Sequence, residues 1–139
     1  MGARIVGADP IIAIDVHPAR LAAARDLGAT HVINPSTEDV AARLRDITGH
    51  GVRFAVDTSG SAKAVRTAID ALAPMGVCGV IAATREPEVG IVTRHLMIGG
   101  RSIRGIAEGD SVPDEFIPEL VDHFANGRLP LERLVTHFE

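Results

Sequence analysis

The sequence predicts an α/β fold with a parallel sheet covered by helices, and three observations carry that reading. Short apolar runs bounded by turn residues alternate with amphipathic stretches in the order β-α-β-α-β-α-β-(α)-β-α, which calls for right-handed crossovers between parallel strands. Apolar residues make up 46% of the chain but aromatics only 3%, with no Trp or Tyr, so the interior must be built from Val, Ile, Leu and Ala. Strands buried on both faces have that composition. Finally, two of the apolar runs close on an acid, Asp15 and Asp57, and open parallel sheets bind ligands outside the carboxyl ends of their strands.

Taken in order, residues 2–6 followed by Gly7-Ala8-Asp9-Pro10 read as the tail of a helix and its stop. So short a piece forms no helix alone, and a segment before Gly2 is expected. Residues 11–15 are the first strand, held between Pro10 and Pro18. A short amphipathic helix over 18–27 places Leu21, Ala22, Ala24 and Leu27 among Arg20, Arg25 and Asp26, and Gly28 stops it. Residues 30–34 give a second strand, cut off by Pro35.

Ser36-Thr37-Glu38-Asp39 opens the next helix with a hydroxyl at the cap and acids in the first turn. Val40, Leu44 and Ile47 form its stripe, and Thr48-Gly49-His50-Gly51 ends it. The third strand covers 52–58, and the helix after it, 61–72, carries Val65, Ala68, Ile69 and Leu72 before Pro74-Met75-Gly76 breaks it. Residues 77–83, the most apolar run, read as a central strand. Between the breaks Glu86-Pro87 and Gly99-Gly100 lies a helical turn around 93–98. Residues 101–106 alternate charge with apolar side chains, as suits an edge strand. Pro118 fits the first turn of a last helix, striped by Leu120, Val121 and Phe124 and stopped at Asn126-Gly127, and 134–138 begin a further strand.

Composition excludes several functions. A formal net charge of −4 without a Lys/Arg block argues against nucleic acid and anionic membrane as partners. One Cys rules out an internal disulfide framework and a Cys-cluster zinc site. No signal peptide and no bilayer-length apolar run is found, so a cytoplasmic protein is expected. At 139 residues one domain with a single core is expected. Asp15 is the informative residue: at a strand end it is placed to accept both hydroxyls of an adenosine ribose, or else to cap the helix opening at Pro18. This stretch alone leaves both open.

The blocks Ile12-Ala13-Ile14-Asp15-Val16-His17-Pro18-Ala19-Arg20, Gly28-Ala29-Thr30-His31-Val32-Ile33-Asn34-Pro35, Val56-Asp57-Thr58-Ser59-Gly60, Gly76-Val77-Cys78-Gly79-Val80-Ile81 and Arg101-Ser102-Ile103-Arg104-Gly105-Ile106-Ala107, in this order, carry a family likeness. Together they resemble the nucleotide-binding half of the zinc-dependent medium-chain alcohol dehydrogenases, over essentially the whole chain. Glu108-Gly109-Asp110 and Phe116-Ile117-Pro118 look closest to the aryl-alcohol (benzyl-alcohol) branch. The resemblance implies a Rossmann-like parallel sheet with helices on both faces, lacking the first strand and the glycine-rich loop, since the chain contains no GxGxxG. Residues 1–139 are then expected to be a partial NAD(P)-binding domain, without the catalytic zinc domain.

The same resemblance implies roles for residues. Asp15 would take the adenosine ribose hydroxyls of NAD, with Arg20 along that ribose; Thr58 and Ser59 would line the adenosine side; Ile81 and Ala83 would border the nicotinamide; the backbone of Gly105, Ile106 and Ala107 would meet its carboxamide. A carboxylate at Asp15 repels the 2′-phosphate of NADP, and no arginine directly follows it. Without the family, Arg20 reads as a solvated helix residue, and Ile81 and Ala83 as core.

In the relatives, Cys and His residues of a separate preceding domain hold a zinc that acts as Lewis acid on the alkoxide before hydride leaves for the nicotinamide. Here no catalytic or metal-ligating residue is expected: Cys78 lies in an apolar strand, and His17, His31, His50, His95, His123 and His137 show no HxxxH pairing. A pyrophosphate loop supplies several hydrogen bonds to a charged group, each worth about 1.5–3 kcal/mol, so weak or no NAD binding and no catalysis by the isolated chain are expected. The alcohol or aldehyde would then be a partner of the full-length enzyme only.

Two other readings remain. Relatives pair edge strands, and 101–106 resembles that edge, so a non-catalytic module forming a homodimer is the alternative. A complete flavodoxin-like domain would need a glycine in its first phosphate loop, which Asp15-Val16-His17-Pro18 does not offer. Absence of the family's first strand leaves two options, that the strands at Ile11 and Phe54 become neighbours or that a gap persists, and predicts an exposed apolar seam with marginal stability.

Overall fold

The structure, a computed structural model, describes every residue except Arg85, Pro87, His137 and Glu139. The elements follow in the order α1 (Gly2–Ile5), β1 (Ile12–Ile14), α2 (Pro18–Asp26), β2 (His31–Ile33), α3 (Val40–Thr48), β3 (Val52–Asp57), α4 (Ala62–Asp70), β4 (Leu72–Val80), α5 (Thr93–Gly99), β5 (Ser102–Gly105) and α6 (Pro113–Ala125). Short 3-10 turns occupy Glu108–Asp110 and Leu131–Leu134. Every strand pairing is parallel. The strands fall into two ladders, β1-β2 and β3-β4-β5, and the chain divides into two compact units, where a single core was expected. No helix among the described residues is long and apolar enough to cross a membrane.

The first unit comprises residues 1–34 and 110–139. Its ladder aligns Ile12 with His31 and Ile14 with Ile33, and α2 packs on both strands. Leu21 and Ile33 are buried there. Thr30 fixes the start of the ladder, its hydroxyl taking the Ile11 N–H and donating to the Ile11 carbonyl, both at 2.9 Å. Proline holds the first position of α6 as expected of its missing N–H, but it is Pro113; Pro118 lies inside the helix. The terminal strand expected at 134–138 is not formed by Leu134, Val135, Thr136 or Phe138, and His137 lies outside the described residues.

The second unit, residues 35–109, holds the three-stranded sheet. Ala55, Cys78 and Ile103 share one register row, and that face packs against the cluster of Val65, Ile69, Leu72 and Cys78 under α4. Phe54 and Val56 alternate to the opposite face and are 67% and 59% exposed. This is an exposed apolar stretch of the kind the sequence suggested. β4 starts at Leu72, earlier than expected, because the pairing jumps from Val52↔Leu72 to Phe54↔Val77. The extra residues carry Pro74 and Met75, the latter at φ 63°, and a strand irregularity tolerates both. α3 is capped by Asp39, whose carboxylate accepts the Ala42 N–H at 3.1 Å, in place of Ser36.

Candidate functional site

The residues singled out lie at or just beyond the carboxyl ends of strands, except Arg20, which is in the first turn of α2. In the first unit β1 delivers Asp15, whose N–H still donates to the Ile33 carbonyl at 3.3 Å, so the ladder continues one residue further and aims the side chain. One carboxylate oxygen accepts the His17 N–H at 2.8 Å and the other lies 3.5 Å from the Arg20 guanidinium. This is an Asx turn. The N-cap of α2 is His17, not Asp15, and it makes no side-chain cap bond, so the capping alternative does not hold in its simple form. Asp15 and Arg20 are thus brought together, with side chains 30% and 70% exposed.

In the second unit the ladder ends level, Asp57 facing Val80 and Val80 facing Gly105. The next amides continue it, Ile81 N–H to the Asp57 carbonyl at 3.1 Å and Ile106 N–H to the Val80 carbonyl at 3.0 Å. Thr58, Ser59, Ile81, Ala83, Gly105, Ile106 and Ala107 therefore gather at one edge of one sheet. All are exposed except Ile106, which is partly buried. Ile81 and Ala83 are thus not the core residues that composition alone would make them.

Sequence reasoning did not single out the part Asp57 plays. The side chain is 5% exposed and accepts the Ser59 hydroxyl at 2.7 Å, the Ser59 N–H at 3.3 Å and the Gly60 N–H at 3.3 Å. An acid two residues before a serine and three before a glycine is the available signal. Gly60 sits at φ +66°, where a Cβ would stand 2.6 Å from the Ala83 carbonyl oxygen, and only glycine fits there. Burial, and then the Asp57 carboxylate, push the Cys78 thiol above its ordinary value.

Among the described residues no three His, Cys, Asp or Glu side chains converge as a metal-ligand set. His31 Nδ1 is paired with the Thr30 hydroxyl at 2.9 Å, and His123 Nε2 lies 3.6 Å from Glu119. In the first unit a part-exposed carboxylate follows β1, and in the second exposed residues follow β3, β4 and β5.

Parallel strands joined by helices, with polar and small residues gathered at their carboxyl ends, define a Rossmann-like α/β chain. A family model described as zinc-binding dehydrogenase matches residues 1–126, and the chain belongs to that family. It is similar to geraniol dehydrogenase of Castellaniella defragrans, with 35% identity over 99% of this chain and 38% of that protein. Among solved structures it superposes on an alcohol dehydrogenase zinc-binding domain protein from Burkholderia ambifaria with TM-score 0.94 and 46% identity, covering 98% of this chain and 37% of the other. Benzyl alcohol dehydrogenase from Acinetobacter calcoaceticus matches with TM-score 0.94 and 39% identity, over 98% and 38% of the two chains. The chain spans less than two fifths of the length of these relatives.

Proposed function

We propose that residues 1–139 are the nucleotide-binding portion of an NAD-dependent, zinc-type alcohol dehydrogenase that oxidises a primary, aromatic alcohol to its aldehyde in the cytoplasm. The observation that carries the reading is Asp15: a carboxylate ending a parallel strand, held by the His17 N–H and still part exposed. Such a group accepts two vicinal hydroxyls and repels a phosphate in their place. Arg20, beside it, orients the carboxylate and lies along the sugar. Thr58 and Ser59 line the adenosine side, Ile81 and Ala83 border the nicotinamide, and the backbone of Gly105, Ile106 and Ala107 meets the carboxamide. When bound, NAD supplies the hydride acceptor.

The aromatic substrate is supported by the likeness to benzyl alcohol dehydrogenase and remains a property of a larger enzyme. Residues 1–139 alone are proposed as a partial domain without the catalytic zinc domain, inactive toward alcohols and weak in NAD binding. The test is an amide-resolved titration of the chain with NAD and NADP. Expected are shifts at Asp15, Arg20, Thr58 and Ser59 with NAD at dissociation constants of about millimolar or weaker, and smaller ones with NADP. Equal responses to both cofactors, or none at Asp15, sink the reading.

A second reading, a homodimer through 101–106, is favoured by one observation: β5 ends the order β3-β4-β5 and leaves an edge open to another strand. Sedimentation over a range of concentrations decides it, a strict monomer removing the idea.

A further inference from the structure

We propose that Asp57 is a positioning residue that sets the turn at Ser59 and Gly60, and that Ser59, which lines the adenosine side, is itself held by this buttress. The proposal rests on the nucleotide reading only for what the turn faces. A buried carboxylate is costly unless its lone pairs are met, and here the donors come from the next residues of the chain. One oxygen takes the Ser59 hydroxyl and N–H, the other the Gly60 N–H. The Ser59 oxygen in turn accepts the Ser61 N–H at 3.2 Å, and Ser61 is the N-cap of α4. The serine proton and one lone pair are therefore committed inward. Thr58 and Ser59 are both exposed, so polar contact with a ligand at this turn is left to the Thr58 hydroxyl and the remaining Ser59 lone pair.

The Asp57 carbonyl also holds the Ile81 N–H, and Gly60 lies against the Ala83 carbonyl. The main chain at Asp57 and Gly60 thus meets the loop after β4, and the carboxylate fixes Gly60 for that contact. Asparagine cannot replace it, because its amide nitrogen would face an N–H or O–H donor.

The experiment measures amide exchange at Ser59, Gly60 and Ser61 and titrates ADP-ribose, in the chain and in Asp57→Asn, Ser59→Ala, Ser59→Thr and Asp15→Ala. The Val52 amide, bonded to the Ala71 carbonyl at 2.9 Å within the same unit, reports unfolding of that unit. Exchange at the turn should rise about tenfold or more in Asp57→Asn and Ser59→Ala but not in Ser59→Thr, with Val52 unchanged. Affinity for ADP-ribose should fall in step. Asp15→Ala should lose affinity and leave turn exchange as it was. Unchanged turn exchange in a folded Asp57→Asn overturns the proposal, and so does a Ser59→Ala that loses affinity without faster exchange. Should the unaltered chain take up no ADP-ribose, the nucleotide reading fails by itself, and the exchange contrast still upholds or overturns Asp57 as the residue that sets the turn.

Discussion

Two strand-ending acids in this chain do different work because their surroundings differ. Asp57 is buried and saturated by main-chain and hydroxyl donors, whereas Asp15 is part exposed and shares an oxygen with a largely exposed arginine at 3.5 Å. An exposed pair of that kind is worth about 0–1 kcal/mol. Asp15→Ala should therefore leave the urea midpoint almost unchanged while abolishing the preference for NAD over NADP, as calorimetry with both cofactors would register. Cys78 gives a pH prediction. Burial first, and Asp57 second, raise its pKa above 9.0. The folded chain then holds the thiol proton more tightly than the unfolded one, so that stabilisation is complete below about pH 9 and is lost as pH climbs through the folded value. Urea midpoints should fall above that pH, less steeply in Cys78→Ala, and the native chain at pH 8 should resist iodoacetamide until it unfolds.

Elements persist or fail on local physics that substitution can weigh. Ile69 is buried in the cluster beneath α4, and Ile69→Ala should cost about 2–5 kcal/mol. Asp39→Ala removes only the cap bond to Ala42 and should cost about 1 kcal/mol, both read from urea unfolding curves. Periodicity made these elements legible: the stripes through Leu21, Leu44, Val65 and Ile69 became helices, and the apolar runs before residue 110 became strands, unlike the run at 134–138. Boundaries were less legible, because they depend on pairing partners. The start of β4 at Leu72 follows from its match to Val52, which no local pattern encodes. Pro118 was misplaced because another proline five residues earlier, Pro113, supplied the helix start. The site was legible as strand-end residues, since an acid or small residue after an apolar run marks itself. The turn held by Asp57 was not, because its meaning lies in burial, and burial is a tertiary property.

At the scale of the molecule, parallel pairing came through from the sequence, and the two ladders match one of the two outcomes expected where the family's first strand is absent, that the strands at Ile11 and Phe54 do not become neighbours. The consequence is best judged on the three-stranded sheet. One face packs against α4, while Phe54 and Val56 leave apolar surface on the other, the Arg53 guanidinium lying 5.6 Å from the Phe54 ring. Exposed apolar surface beside an open strand edge favours association. The chain should therefore scatter light increasingly with concentration. Replacing both Phe54→Thr and Val56→Thr keeps β-compatible residues at these positions and removes apolar area that folding does not bury. The double variant should stay disperse at concentrations where the parent associates, with an unfolding free energy from urea curves within about 0.5 kcal/mol of it, as expected of surface changes. Association that survives the double change as a discrete doubling of mass would belong to β5, whereas a lowered midpoint would mean that this face is packed in solution and the exposed patch is not the origin of self-association.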